Sequence, residues 1–184
     1  MIDYDLDTFV PDNEIGRGRD SVVYAVDAST VIRLFRERRK LRKEIAINVD
    51  IGLEGIFVPE LEREVELYFP EQHPLYNNGY KQYGLIMRRI YGKRPSDLPT
   101  ERERTRALGQ HVEALAQIMR IGYIPFEFGL NANELFNQKR QELFIFDFAR
   151  WKRMNEGVPL EIRSAIMANP FEVVSKEKLA RFGV

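Results

Sequence analysis

Apolar and polar positions change their spacing along this chain in a way that divides it near residue 90. Residues 9–35 carry short apolar runs separated by turn formers and read as three short strands. The run Ser21-Val22-Val23-Tyr24-Ala25-Val26 is β-branched and aromatic, which suits a pleated, half-buried strand. Asp27-Ala28-Ser29 is a turn leading into Thr30-Val31-Ile32-Arg33-Leu34-Phe35, so an antiparallel meander is the simplest topology. Over 36–53 the period becomes helical: Leu41, Ile45, Asn48, Val49 and Gly52 share a stripe, with Glu44 near its apolar face. Residues 59–69 are expected to be extended, because Val65, Leu67 and Phe69 alternate with charges. A loop over 70–78, holding His73, leads to a strand over 83–90 with an apolar centre. Beyond it the pattern is helical. Thr100 with Glu101 and Glu103 reads as a capped helix start. Leu108, Val112, Leu115, Ala116 and Met119 form an amphipathic stripe that Gly122 ends. His111 lies beside Val112 and reads as a packed or surface imidazole. Short helices are expected over 160–168, started by Pro159, and over 173–182, capped by Ser175. The pattern predicts an α+β chain, β-rich over 1–90 and helical over 91–184.

One stretch of the second part interrupts the helices. Asn133 precedes the apolar pair Leu135 and Phe136, a five-residue polar connection follows, and the run Leu143-Phe144-Ile145-Phe146 ends on Asp147. Two apolar segments around a polar connection predict a β-hairpin. Asn133 then lies just before its first strand and Asp147 just after its second. Taken singly, these are ordinary turn and cap residues. Together they offer an amide oxygen and a carboxylate, donors that suit a hard cation such as Mg²⁺.

Composition narrows the classes. The chain has 184 residues, 44% hydrophobic and 30% charged, enough for a packed core in one medium domain or two small lobes. Twenty-eight Lys and Arg balance 28 Asp and Glu, so global attraction to nucleic acid or anionic membrane is not the design. The absence of cysteine excludes disulfides and thiolate metal sites, and two histidines are too few for a structural zinc site. The acidic N-terminus lacks a signal-peptide core and no apolar run has the length of a membrane span, so a cytoplasmic protein is expected, in its own cell or in a host cytosol. Arg36-Glu37-Arg38-Arg39-Lys40-Leu41-Arg42-Lys43 is a basic run, either a solvated helix face or a patch for phosphate or an acidic partner.

The turn Gly16-Arg17-Gly18 between two strands lets backbone N–H groups approach a phosphate. With that turn at one end and Asn133 and Asp147 at the other, the chain resembles the eukaryotic-like protein kinase superfamily. It is most similar to small bacterial kinase-like proteins, including the minimal type III effector kinases and a PhoP-network kinase-like family. The resemblance runs from Glu14 to Arg150 and rests on ordered spacing. It implies a kinase-like two-lobe fold with an antiparallel β-sheet N-lobe and a truncated helical C-lobe. Ile15-Gly16-Arg17-Gly18-Arg19-Asp20-Ser21 looks like the glycine-rich loop over ATP phosphates, with Ser21 in place of the third glycine. Arg33 stands where the phosphate-binding lysine is expected, and Glu44 matches the acid that pairs with it. Leu85-Ile86-Met87-Arg88-Arg89, followed by Gly92 and Leu98, looks like the hinge, so Met87 and Arg88 are the implied adenine contacts. Asn133 matches the metal-binding asparagine and Asp147-Phe148-Ala149 the metal-binding Asp-Phe-Gly. Their fourteen-residue step is one the small effector kinases also use.

The departures set the function. Arginine for lysine keeps the charge but changes reach, planarity and hydration. The His-Arg-Asp triplet is replaced by Pro125-Phe126-Glu127. Glu127 is the candidate catalytic base, with one residue inserted before Asn133; equal spacing would instead put Phe128 there and abolish acid–base chemistry. The 37 residues after Asp147 leave no room for an ordinary activation segment. These features favour a pseudokinase or weakly active kinase working through a protein partner, with the basic run, Arg88-Arg89 and Lys93-Arg94 as contact surfaces. One alternative is an active minimal protein kinase using ATP and Mg²⁺, with Arg33 on the phosphates and Glu127 as base. The other is a nucleic-acid-binding module using the basic helix, which zero net charge argues against.

Overall fold

The computed structural model describes residues 9–18, 21–76, 78–124, 133–148, 151–154 and 164. The chain divides into two compact units, Met1–Val49 with Pro59–Ile90, and Asp50–Val58 with Tyr91–Val184.

The first unit is built on a five-stranded antiparallel sheet in the order β1-β2-β3-β5-β4. The strands are β1 (Glu14–Arg17), β2 (Ser21–Ala25), β3 (Thr30–Phe35), β4 (Leu61–Leu67) and β5 (Gln82–Arg88). Helix α1 (Arg38–Leu53) joins β3 to β4. Alternation along the strands sends Val22, Tyr24, Ile32, Leu34 and Ile86 to one face, where Phe9, Leu67 and Phe69 complete a core. Phe9 anchors it edge-on to Tyr24 at 5.5 Å and to Phe69 at 5.2 Å between ring centroids, a favoured aromatic geometry. Arg33 lies between Ile32 and Leu34 and therefore projects from the opposite face, where α1 meets it.

The stripe expected on α1 is rotated. Leu41, Glu44, Ile47, Asn48 and Ile51 are buried, whereas Val49 and Gly52 face solvent. Two polar residues hold the buried face because each finds a partner. Glu44 meets Arg33, and the Asn48 amide donates to the Pro59 carbonyl at 3.2 Å.

In the second unit helix α2 (Glu101–Arg120) starts at the Thr100 cap. The Thr100 hydroxyl accepts the Glu103 N–H at 3.2 Å and donates to the Glu103 carboxylate at 2.8 Å, a reciprocal capping arrangement. Gly122, at φ +91°, turns the chain after the helix, a conformation that costs glycine nothing. The predicted hairpin is present as β7 (Glu134–Asn137) and β8 (Glu142–Ile145), and β6 (Tyr123–Ile124) pairs with β9 (Lys152–Arg153). Leu98, Ala107, Phe136 and Leu143 form the core between α2 and the hairpin.

The α2 stripe also differs from expectation. Leu108 and Val112 are 47% and 38% exposed, while Ala107, His111, Ala114 and Ile118 turn inward beside Leu115, Ala116 and Met119. Small alanines let the hairpin close on the helix, and Gln110 fastens it: its amide donates to the Gln141 carbonyl at 3.0 Å and accepts the Leu143 N–H at 2.8 Å. No helix among the described residues is long and apolar enough to cross a membrane. The helices expected over 160–168 and 173–182 lie outside the described residues.

Candidate functional site

Two groups of side chains hold the residues singled out by sequence, one in each unit. The first begins at the glycine turn. β1 carries a register irregularity between Glu14 and Gly16, and the Gly18 N–H closes the turn on the Ser21 carbonyl at 2.9 Å. Space beside Gly16 is open: a methyl there would meet no atom within 4 Å. Across the turn Arg17 forks onto Glu14, and this hydrogen bond holds the Glu14 carboxyl below its usual range.

Beneath that turn Arg33 and Glu44 form a buried ion pair, with Nη1 at 2.8 Å from Oε1 and side chains only 8% and 4% exposed. The Arg33 Nε donates to the Ser21 hydroxyl at 2.7 Å, and its guanidinium carbon lies 5.0 Å from the Phe35 ring centroid. The residue at the third-glycine position thus serves as an acceptor for the arginine at the lysine position. Sequence reasoning missed that link, although Ser21 and Arg33 fall on paired strands in the meander it predicted. Met87 is buried in the middle of the sheet, flanked by Val31 and Leu61. Arg88 gives its N–H to the Glu60 carbonyl at 2.9 Å and its guanidinium to the Glu60 carboxylate at 2.9 Å. Any adenine contact at Arg88 would therefore use a group other than that N–H.

The second group sits at the open end of the β7–β8 hairpin. The Phe146 N–H donates to the Asn133 carbonyl at 3.1 Å, which brings Asn133 beside the residue preceding Asp147. Asp147 adopts φ +68°, in the left-handed region. Aspartate tolerates that region better than most residues, and such conformations gather at functional sites. Directly after Asn133, Glu134 turns inward on the same face as Phe136, with its side chain fully buried. Its Oε1 lies 2.5 Å from His111 Nδ1, and its Oε2 has no hydrogen-bond partner among the described residues. This pair was not anticipated, but period-2 alternation puts Glu134 on the face of Phe136 and could have shown it. A second unforeseen cluster joins Tyr123, Asp50 and Arg153. The Tyr123 hydroxyl donates to Asp50, and Arg153 reaches both, at 3.2 Å and 3.1 Å. Burial, then the Asp50 bond, pushes the Tyr123 hydroxyl above its usual pKa. Glu127 lies outside the described residues.

No family model matches the sequence, and no curated protein matches it. Among solved structures the chain is similar to the kinase PK-1 of Cydia pomonella granulovirus, at 14% identity and a TM-score of 0.54. The alignment covers 77% of this chain and 53% of that one, so the chain spans about half the length of the kinase it matches. The fold is kinase-like. The five-stranded antiparallel sheet and small helical part are those of a kinase-like α+β protein, as the spacing of the glycine turn, Glu44 and the hairpin led one to expect.

Among the described residues no group of three or more His, Cys, Asp or Glu side chains could hold a metal ion. Asn133 and Asp147 supply two oxygen donors, which fits Mg²⁺ if phosphate oxygens and water complete its shell.

Proposed function

We propose that this chain is a kinase-like protein with little or no phosphotransferase activity, and that it acts by contacting a protein partner. The observation that carries this reading is the fate of Arg33. Its fork is divided between Glu44 and Ser21 inside the sheet unit. A lysine at the same place keeps a compact, mobile charge for phosphate, whereas a planar fork committed to a buried carboxylate and a half-buried hydroxyl works as a structural pin. In the first unit the glycine turn at Gly16 and Gly18 would offer backbone N–H groups to a phosphate, and in the second Asn133 and Asp147 would offer oxygen donors to a divalent cation.

A second reading has its own observation. Asp147 holds a left-handed backbone, φ +68°, a conformation that gathers at functional sites, and this favours an active minimal kinase with Glu127 as base. A thermal melt with ATP and Mg²⁺ and an assay of Mg²⁺-dependent ATP turnover separate the two. Asp147→Asn is the right control, because asparagine keeps the left-handed backbone and removes only the charge. The expected result is a melting shift of a few degrees at most and turnover no different between the chain and its control. Turnover that disappears in the control would establish the second reading.

A further inference from the structure

Within the second unit, the segment that follows α1 meets α2 and β8 around a cavity of about 210 Å³. Ile56, Ala114 and Leu143 line its buried part, Gln117 is half-buried, and Phe57 and Glu113 stand exposed at its mouth. Three ties hold these walls in place. The Phe57 carbonyl accepts the Ile145 N–H at 3.0 Å, and the Phe57 ring centroid lies 5.7 Å from that of Phe144. Gln110, which also lines the cavity, bridges α2 to the hairpin. The site is thus formed before anything binds, which lowers the cost of ordering it. Its volume lies below the roughly 300 Å³ at which pockets for drug-sized ligands begin, so it suits one side chain.

Charge decides which side chain. Among the residues that line the cavity Glu113 alone is charged. Exposed acids elsewhere have cations beside them: Lys40 meets Glu37 at 3.0 Å, Arg88 meets Glu60 at 2.9 Å and Lys81 meets Glu66 at 2.6 Å. Glu113 has no ion pair or hydrogen bond among the described residues. Its neighbours one turn away on α2, Gly109, Gln110, Ala116 and Gln117, carry no charge and cannot serve as helical partners. The end of α1 adds to the field. Gly55 lines the cavity two residues past that helix, whose last turn holds no basic residue, so the negative end of its dipole favours a cation there. Phe57, 43% exposed, offers an aromatic ring to the same cation.

We propose that this cavity is a docking site for one arginine of a partner protein. The guanidinium pairs with the Glu113 carboxylate and lies against Phe57, while its methylene stem covers Ile56 and Ala114. Arginine suits the site better than lysine, because its planar head forks onto a carboxylate and stacks on an aromatic ring. A nucleic-acid backbone is disfavoured, since its phosphates would meet a carboxylate. The proposal gives the chemistry of the partner in the reading above and rests on that reading.

The test uses the full chain without nucleotide or metal. Its failure strikes this site alone, whereas Mg²⁺-dependent turnover in the ATP assay strikes the reading beneath it. A fluorescein-labelled peptide of four Gly-Arg-Leu repeats is titrated by anisotropy at low salt. Saturable binding that weakens as salt rises is expected. Glu113→Gln lowers affinity at least about tenfold, the loss of one charge-assisted contact. Glu62→Gln removes the same charge from an exposed position on β4 and leaves affinity within about twofold. Both side chains are exposed, so unchanged melting curves show that the variants fold. A peptide with citrulline for arginine, which keeps the shape without the charge, does not bind, and this arm needs no variant. NMR shifts on peptide addition include the Gly55 N–H and the Gln117 side-chain amide. The proposal is overturned by no saturable binding, by equal binding of Glu113→Gln, or by equal binding of the citrulline peptide. An equal loss in Glu62→Gln, shifts that leave Gly55 and Gln117 unmoved, or free arginine binding as tightly as the peptide overturns it too.

Discussion

At the residue scale, the sharpest consequence concerns Arg33 and Glu44. Removing one member of a buried ion pair leaves the other charged and dry, at a cost of about 3–5 kcal/mol. Arg33→Ala should lose that much in denaturant melts, whereas Arg33→Met with Glu44→Leu should recover most of it, since apolar residues of similar size need no partner. A double variant as unstable as the single one would mean that the pair itself holds the sheet to α1. Asp147 gives a second test. Alanine at φ +68° costs about 1–2 kcal/mol, so Asp147→Ala should be less stable than Asp147→Gly in the same assay. Asp27 gives a pH signature. Its Oδ1 accepts the Ser29 N–H at 2.6 Å and the Thr30 N–H at 2.8 Å, and these bonds, with those from the Ser29 and Thr30 hydroxyls, hold its carboxyl below the usual range. A depressed pKa stabilises the fold above the unfolded value, near 3.9, and the contribution is lost as pH falls through the folded value. The difference between the melts of the chain and of Asp27→Asn should therefore shrink below about pH 4 and stay flat above it.

Elements show what spacing could and could not reveal. The Thr100 cap was legible because a hydroxyl followed three residues later by an acid has one common use. Thr100→Ala should cost about 1 kcal/mol in thermal melts. The β7–β8 hairpin was legible from its flanking apolar runs, and with it the placement of Asn133 and Asp147. The faces of both helices were not. In α1 the stripe drawn through Ile45, Val49 and Gly52 competes with one through Glu44, Ile47 and Ile51, and Leu41 and Asn48 belong to both. The structure takes the second, whose isoleucines are buried and whose one charge, Glu44, is met by Arg33 from a strand outside the helix. In α2 Leu108 and Val112 lose to Ala107 and His111, whose partners Leu143 and Glu134 come from strands far along the chain. Partners of that kind cannot be read from the helix alone. Gly92 was noted for its place after β5, but its reason is contact. A methyl on it would come within 2.7 Å of the Phe136 carbonyl oxygen, where Lys93 and Phe136 exchange backbone hydrogen bonds at 3.1 Å and 2.8 Å. Backbone cannot rotate aside as a side chain does, so Gly92→Ala should destabilise by about 1–3 kcal/mol in denaturant melts.

For the whole molecule, charge balance decides how stability answers to salt. Twenty-eight basic residues face 28 acidic ones, so at neutral pH there is no net self-repulsion for ions to screen. Many of the ion pairs are exposed. Arg88 and Glu60 have side chains 65% and 68% exposed, and Arg153–Asp50 and Arg140–Glu142 are similarly open on the arginine side. Pairs of this kind contribute about 0–1 kcal/mol each and often nothing measurable. The buried Arg33–Glu44 pair is screened much less than they are. Raising salt from about 0.01 M to about 1 M shortens the screening length from about 30 Å to about 3 Å, yet the unfolding free energy at pH 7 should move by no more than about 1 kcal/mol. Acid reverses the situation. Once the pH falls well below about 4, the carboxylates protonate and the 28 Lys and Arg are left uncompensated. The compact state then repels itself, and added salt should raise the melting temperature. Melts followed by circular dichroism at the two pH values and two salt concentrations check this directly. A large salt effect at pH 7 would show that the exposed pairs, rather than the apolar core and the buried pair, carry the stability of the chain.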